Sequence, residues 1–336
     1  MRAAVIKAVG EVDVTMVDDP TPGPRDVIVE VAACGICGTD LHILDGEFAP
    51  SLPIIPGHEF AGTVVAVGTQ VTELTIGERV AVDPSLYCNE CHYCRLGRNN
   101  LCERWNAIGV SVPGGAAQYA RAPVANCVIV PDDIRIEDAA LIEPLSCAVR
   151  AYDVLAARLA AHILIYGSGT MGLMMLQLAK RVGATSVDMV DINPARLEAA
   201  VTLGCSNATT SAEEIDRPRG WDVVVDATGV SEAIQDGLGR VGPGGTFLQF
   251  GVTAYSTRVE IEPYRIYNQE ITVTGSMAVL HSYERAAELF ASGLLDPDVL
   301  ISHRLPLADF GSALQLFQQG QGRKIQVLPN LTSARR

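Results

Sequence analysis

The segment 163–172 reads Ile-Leu-Ile-Tyr-Gly-Ser-Gly-Thr-Met-Gly, an apolar run followed by three spaced glycines. An apolar run before such glycines and a helical pattern after them give weight to a motif that is weak on its own. Gly167 permits a tight turn, Gly169 lets the backbone approach a pyrophosphate, and Gly172 lets a helix lie close to the strand. The motif therefore predicts a dinucleotide site, and a plain turn is the competing interpretation.

The following strand predicts which dinucleotide binds. Asp191 directly follows the predicted strand Val187–Val190. A carboxylate at this position accepts hydrogen bonds from the adenosine ribose hydroxyls and repels a 2′-phosphate, which indicates NAD rather than NADP. Arg196 either stacks on the adenine or is a solvated helix residue. The candidate cofactor-binding residues are Gly167, Ser168, Gly169, Thr170, Met171, Gly172, Asp191 and Arg196.

Alternating apolar and helical patterns extend from this segment in both directions and predict an α/β fold with a doubly wound parallel sheet. The predicted strands are Ile163–Tyr166, Val187–Val190, Val223–Asp226, Thr246–Phe250 and Ile271–Gly275, and the predicted helices are Ile136–Ala157, Met171–Val182 and Ala195–Leu203. Beyond His281 the patterns predict helices near Tyr283–Ser292 and Leu307–Gln319 and a strand at Lys324–Leu328.

The first 130 residues have a different character. Short β-branched runs at Val27–Ala32, Thr63–Val67 and Arg79–Val82 are separated by glycine and proline turns. This spacing predicts an irregular all-β domain. A chain of 336 residues with 48% hydrophobic and 19% charged residues is consistent with two domains.

The net charge and the hydropathy of the chain limit the kinds of binding partner that we expect. The formal net charge of −14 argues against a nucleic-acid surface or a basic membrane anchor. Gly, Pro or a charged residue interrupts every apolar run before it reaches the length of a membrane span, and Met1–Gly10 lacks the apolar core of a signal peptide. We therefore expect a cytoplasmic protein that acts on a small molecule.

Four of the nine cysteines lie close together, in the order Cys88-x2-Cys91-x2-Cys94-x7-Cys102. Four thiolates close a tetrahedral shell around Zn²⁺ without water, so this lobe predicts a structural zinc site. Disulfides and an iron–sulfur cluster are the competing interpretations, and a reducing compartment disfavours disulfides. His92 is expected to be an exposed loop residue.

A second set of metal-ligating side chains is spread over three fragments, which contain Cys37, His58-Glu59 and Glu143. A thiolate, an imidazole and a carboxylate suit a zinc ion with an open coordination position for a substrate oxygen. Each residue taken alone is weak evidence for a metal. The alternative interpretation of Cys37 is a small core residue, and that of Glu143 is a charged residue at a helix terminus. The combination with a dinucleotide-binding half predicts a catalytic metal.

These motifs occur in a familiar order. Gly57-His-Glu59-x2-Gly62-x5-Gly68-x2-Val71, the cysteine lobe, Gly115-Ala-Ala-Gln-Tyr119 and the glycine loop follow one another along the chain. The chain resembles the zinc-containing medium-chain alcohol and polyol dehydrogenases over essentially its whole length. The resemblance implies a GroES-like catalytic domain of residues 1–150 and 285–336, a Rossmann domain of residues 151–284, and two zinc ions per chain. It also implies a homodimer or homotetramer.

The resemblance assigns roles to the matching residues. Cys37 and His58 are expected to bind the catalytic zinc, with Glu59 as a direct ligand and Glu143 acting through water or exchanging. Thr39 is expected to take the alcohol proton and pass it through the nicotinamide ribose to His42. The alternative for His42 is a surface histidine. Asp40 orients either His42 or a ligand.

The segment Ile142-Glu-Pro-Leu-Ser-Cys147 resembles the polyol branch of this family, so the expected reaction interconverts a secondary alcohol of a polyol or cyclitol and its ketone. Ile43 and Met277–Ala278 depart from sorbitol dehydrogenases by lacking hydroxyl-binding groups. A simple secondary alcohol or a diol therefore stays open as substrate. L-Threonine also stays open, because the segment from Cys34 to His42 would suit threonine dehydrogenases equally. A non-catalytic binding relative is the remaining alternative.

Overall fold

The computed structural model describes residues 1–47, 51–155 and 159–331. The chain divides into two compact units, the first formed by Met1–Ser146, Val279–Gly293 and the chain from Ile301 onward, and the second by Cys147–Ala278 and Leu294–Leu300. The predicted boundaries placed Leu294–Leu300 in the catalytic domain. In the structure this segment belongs with unit 2, where the Asp296 N–H donates to Oε1 of Gln177 at 3.3 Å.

The elements before residue 130 are mainly short strands, as the glycine and proline spacing predicts. They are β1 (Arg2–Ala8), β2 (Glu11–Met16), β3 (Asp26–Gly35), α1 (Gly38–Leu44), β4 (Glu59–Val67), β5 (Arg79–Val82), β6 (Ser85–Leu86), α2 (His92–Arg95), β7 (Asn106–Ala107), β8 (Tyr119–Pro123) and β9 (Cys127–Ile129).

The remaining elements alternate between helix and strand. They are α3 (Ile142–Leu155), β10 (His162–Tyr166), α4 (Thr170–Arg181), β11 (Ser186–Val190), α5 (Pro194–Thr202), β12 (Asn207–Thr209), β13 (Trp221–Asp226), α6 (Ser231–Arg240), β14 (Val241–Gln249), α7 (Pro263–Gln269), β15 (Thr272–Gly275), α8 (Tyr283–Ala291), α9 (Pro297–Leu300), β16 (Ile301–Pro306), α10 (Phe310–Gln318) and β17 (Lys324–Leu328).

Unit 1 is built on one large irregular sheet. Its strand order is β16-β17-β3-β4-β5-β9, with β8 also paired to β3. The antiparallel register places Gly35 opposite Glu59, and Cys34 opposite Val327 on the other side of β3. The C-terminal strands thus join the N-terminal part of the chain in one sheet. A core of buried residues that includes Val29, Phe60 and Phe310 packs against it.

Unit 2 contains a six-stranded sheet of order β12-β11-β10-β13-β14-β15, and each of its strand pairs is parallel. Counted along the chain from β10, this order is 3-2-1-4-5-6, the strand order of a Rossmann fold. The predicted α/β fold class is confirmed. The glycine loop follows β10, at the point where the strand order reverses.

The helix predicted over Ile136–Ala157 differs from the structure at its start. A 3₁₀ turn covers Asp138–Leu141 and α3 begins at Ile142, and Ala157 lies outside the described residues. Pro144 explains the difference, because proline fits the first turn of a helix but its ring would clash with the carbonyl four residues earlier in a longer one. No helix in the described part of the chain is long and apolar enough to cross a membrane.

Candidate functional site

Two of the three fragments with the candidate catalytic ligands meet at the ends of β3 and β4. Cys37 is the N-cap residue of α1, directly after β3, and Glu59 is the first residue of β4. The Cys37 thiol, the His58 imidazole and the Glu59 carboxylate each offer an atom within 4.8 Å of the other two. His58 and Glu59 are buried and Cys37 is half-buried. The pairing of β3 with β4 therefore assembles three of the four predicted ligands.

Two glycines make room for this cluster. A Cβ at Gly35 would lie 2.0 Å from Oε2 of Glu59. Gly57 adopts a φ of 91°, and a Cβ there would lie 2.4 Å from Sγ of Cys34. Side chains at these positions would displace the Glu59 carboxylate and the backbone that carries His58.

Asp40 ties the two ligand fragments together. Its carboxylate is fully buried and accepts the backbone N–H of Cys37 at 2.9 Å and that of Gly57 at 3.3 Å. Burial raises the pKa of Asp40, although the nearby charge of His58 and both backbone donors act in the opposite direction. Of the two roles that the sequence left open for Asp40, these contacts fit the orientation of the ligand loops.

The electrostatics of the cluster suit a cation. Burial lowers the pKa of His58, but the charge and hydrogen bond of Cys37 outweigh it, so the pKa lies well above its usual value. Nδ1 of His58 is buried and has no hydrogen-bond partner among the described residues. A thiolate and a carboxylate held this close repel each other, and a divalent cation would relieve that repulsion. The residues present therefore fit a zinc ion.

Glu143 lies near this cluster but outside the group of three. It is 6% exposed, and burial raises its pKa to about 7, while the charge of His58 acts to lower it and that of Glu59 to raise it. Its Ser146 neighbour on α3 donates a hydroxyl to the backbone carbonyl of Glu143 at 2.6 Å. The position suits a carboxylate that reaches the metal indirectly or by exchange.

Lys324 is a site residue that the sequence patterns did not indicate. Its ammonium donates to both carboxylate oxygens of Glu59, at 2.8 and 2.6 Å, and to the carbonyl of Ile36 at 3.1 Å. A lysine in an apolar strand was the available signal. Glu59 is thus held by a buried cation, and a metal ion would share its oxygens with Lys324.

The predicted proton-relay residues both lie on α1. The Thr39 Oγ1 atom is 3.8 Å from Sγ of Cys37, and His42 is one turn further along the helix. Residues three apart lie on the same side of a helix, which is consistent with the predicted relay. His42 also contacts Glu47, at 2.5 Å from Nδ1 to Oε2.

The four cysteines of the second predicted metal site converge. Their sulfur atoms all lie within 4.8 Å of one another, and those of Cys88 and Cys102 are 3.4 Å apart. All nine cysteines fall within the described residues and are free thiols. Backbone N–H groups of Cys91 and Arg104 donate to sulfur at 3.3 Å, which favours the thiolate form. The lobe has the closed donor set of a structural zinc site.

The glycine loop has the backbone geometry that its sequence predicts. Gly167 adopts a φ of 98°, and a Cβ at Gly172 would lie 1.8 Å from the carbonyl oxygen of Gly167. Gly169 is the N-cap residue of α4, and no atom lies within 4 Å of a Cβ built there. The loop is therefore closed where the helix packs and open where a phosphate would approach. Thr170 and Met171 begin α4 at the same point.

Asp191 is connected directly to this loop. One carboxylate oxygen accepts the Ser168 N–H at 2.7 Å, and the other accepts the Asn193 N–H at 2.8 Å. Asn193, which the sequence patterns did not single out, caps α5 and so orients the carboxylate. Arg196 is half-buried on α5.

Comparison with known proteins found matches to both halves of the chain. Residues 23–132 match the family model described as alcohol dehydrogenase GroES-like domain, and residues 170–292 match the one described as zinc-binding dehydrogenase. D-arabinitol dehydrogenase 1 of Uromyces fabae is 36% identical over 97% of this chain and 94% of that protein. D-altritol 5-dehydrogenase of Agrobacterium fabrum is 35% identical over 85% of this chain and 87% of that protein.

L-threonine 3-dehydrogenase of Rhizobium etli is 31% identical over 97% of this chain and 98% of that protein. Among solved structures, a zinc-binding dehydrogenase of Sinorhizobium meliloti bound to NADP has a TM-score of 0.93 and 34% identity, and the match covers 98% of this chain and 99% of that one.

The fold, the two cysteine-containing clusters and these relatives define the class. The chain belongs to the zinc-dependent medium-chain alcohol and polyol dehydrogenases. It is a zinc-dependent, NAD(P)-dependent alcohol oxidoreductase, which confirms the predicted class of enzyme. The relatives that are named dehydrogenases support an enzyme rather than the non-catalytic alternative.

Proposed function

We propose that the protein oxidises a secondary hydroxyl of a polyol to the ketone, with NAD as the hydride acceptor. The buried group of Cys37, His58 and Glu59 carries this proposal, because its donor set leaves a coordination position for substrate oxygen. A bound zinc ion would supply Lewis acidity that lowers the pKa of the alcohol, and bound NAD would accept the hydride.

The chain's own residues have distinct tasks in this reaction. Cys37, His58 and Glu59 hold the metal, and Glu143 acts beside them as a carboxylate of raised pKa. Thr39 removes the alcohol proton and His42 delivers it towards solvent. Gly167–Gly172 bind the pyrophosphate and Asp191 the adenosine ribose.

Asp191 supports NAD over NADP, since its buried carboxylate would repel a 2′-phosphate. The relative of known structure that is bound to NADP makes the choice an experimental question. The polyol assignment is supported by the arabinitol and altritol dehydrogenases among the relatives. L-Threonine is the second candidate substrate, because a threonine dehydrogenase matches over the same length.

The test is reduction of NAD and of NADP on a panel of D-arabinitol, D-altritol, sorbitol, an inositol, 2,3-butanediol, 2-butanol and L-threonine. We expect the highest kcat/KM for a polyol with NAD. A higher kcat/KM for L-threonine would replace the polyol assignment, and faster reduction of NADP would contradict the role of Asp191. Asp191→Ala should lower kcat/KM for NAD and raise it for NADP.

We also propose that the protein is a cytoplasmic homo-oligomer, a dimer or a tetramer. The dimer contact would use β15, an edge strand of the unit 2 sheet whose side chains are mostly exposed. An edge strand with Val273 exposed invites pairing with the same strand of a second chain.

A further inference from the structure

The C-terminal end of α1 turns the chain back onto the helix. The Gly46 N–H donates to the carbonyl of Ile43 at 3.1 Å, and the Glu47 N–H donates to that of His42 at 2.9 Å. These two bonds form a Schellman motif with Gly46, at a φ of 78°, in the left-handed position. A Cβ at Gly46 would also lie 2.8 Å from the Val9 side chain. The glycine thus fixes a turn that places Glu47 beside His42.

The side chains of His42 and Glu47 form a close pair. Nδ1 of His42 is 2.5 Å from Oε2 of Glu47, and the two side chains are 24% and 46% exposed. A ring nitrogen and an ionised carboxylate approach this closely with a proton between them, and the carboxylate has only acceptor oxygens. Nδ1 therefore carries the proton. In the neutral imidazole, Nε2 is then the basic nitrogen.

We propose that Glu47 is a positioning residue for the proton relay, which holds His42 in the Nδ1–H tautomer and stabilises the imidazolium that forms in turnover. This inference rests on the proposed function, in which Thr39 and His42 carry the alcohol proton. A carboxylate that accepts Nδ1–H plays the same part towards the histidine of serine-protease triads, and it directs metal-bound histidines in the same way.

The proton transfer balances without another reactant. The O–H bond of the alcohol breaks with its electron pair left on oxygen, and after the relay an N–H bond forms at Nε2. That bond breaks again as the proton passes to solvent water. The hydrogen bond from Nδ1 to Oε2 persists through both steps, so the negative charge of Glu47 balances the positive charge of the imidazolium while Glu47 neither loses nor gains a proton.

The tautomer gives a test that does not depend on turnover. In the zinc-loaded protein labelled with ¹⁵N-histidine, the His42 signals are identified among six histidines by their loss in His42→Asn. We expect a protonated Nδ1 and an unprotonated Nε2 in the wild type, and a mixture of tautomers in Glu47→Gln. A spectrum that Glu47→Gln leaves unchanged would overturn the proposal.

Kinetics give the second test. Glu47→Gln should lower kcat about tenfold, which is less than the full effect of losing a general base, because His42 itself is still present. The KM for the alcohol should stay within about twofold of the wild-type value. Glu47→Asp should restore most of the loss, and the double variant with His42→Asn should be no slower than His42→Asn alone. Asp45→Asn is the matched control, since it removes the same charge from the same turn.

Separate results would contradict the relay through His42 and the role of Glu47. A His42→Asn variant with wild-type kcat contradicts the relay in the proposed function. A His42→Asn variant that is slow, together with a Glu47→Gln variant that is not, contradicts the role of Glu47 alone.

Discussion

At the scale of single residues, the buried ion pair of Glu59 and Lys324 affects the stability of the protein near the site. Their side chains are 2% and 3% exposed. Burial lowers the pKa of Lys324, but the charges of Glu59 and Cys37 outweigh it and the pKa is raised. Each charge is tolerated in the interior because the other neutralises it. Loss of one partner leaves an uncompensated buried charge.

We therefore expect Lys324→Met to lower the free energy of unfolding by about 3–5 kcal/mol, measured by urea denaturation after removal of the catalytic zinc, since a zinc ion on Glu59 would itself neutralise that carboxylate. Glu59→Gln in the same chain should recover part of the loss, because a neutral amide needs no cation. Lys7→Met is the control: it breaks the exposed ion pair with Asp13 and should leave stability nearly unchanged. A Lys324→Met protein as stable as the wild type would show that the pair contributes no net stability.

The individual site residues differ in how far sequence could predict them. Cys37, His58 and Glu59 are metal-ligating residue types in a recognisable spacing. The sequence therefore predicted both which residues form the site and what chemistry they support. Lys324 was not predictable, because it lies 265 positions from Glu59 along the chain and only the order of strands β17-β3-β4 brings it there. The role of Glu47 could not be predicted from the sequence either, because it depends on the geometry of a turn.

At the scale of elements, the exposed edge of the unit 2 sheet supports the proposed oligomer. Strand β15 pairs with β14 on one side, and Val273 on it is 50% exposed. The preceding helix α7 has no buried residue, and its Tyr264 and Tyr267 are 75% and 81% exposed. Aromatic side chains beside an uncovered strand are typical of a surface that a second chain covers.

We expect Val273→Lys to convert the oligomer to a smaller species, because a charge on an edge strand opposes pairing of like strands. The molar mass measured by light scattering should fall. Val201→Lys on α5, where Val201 is 62% exposed, is the matched control and should leave the mass unchanged. If both variants keep the mass of the wild type, β15 is not the contact.

Elements with a strong pattern were predictable, and short or polar ones were not. Arg79–Val82 and Lys324–Leu328 have the predicted limits, since each is a run of strand-forming residues bounded by turns. By contrast, β12 has only three residues, Asn207–Thr209, and α6 contains two glycines, so neither has a pattern that stands out from a loop. Both are specified by their place in the Rossmann sheet.

At the scale of the whole molecule, the two chemical tasks lie in different units. Cys37, His58, Glu59 and the cysteine lobe belong to unit 1, whereas Gly167–Gly172 and Asp191 belong to unit 2. The class of reaction was predictable because each unit contains a local sequence motif that indicates what it binds. The substrate was not, because the groups that recognise a particular alcohol depend on packing rather than on any motif.

This separation predicts how the protein responds to loss of metal. A chelator that removes the catalytic zinc should abolish turnover, while the Kd for NADH, measured by fluorescence, should stay unchanged, because both candidate metal clusters found among the described residues belong to unit 1. Added zinc should restore turnover. Cys102→Ser should remove a separate zinc equivalent in elemental analysis, and Cys205→Ser, with a cysteine outside both clusters, should remove none. If NADH affinity fell together with the catalytic zinc, the dinucleotide site would depend on the metal, and the two units would not act as separate binding modules.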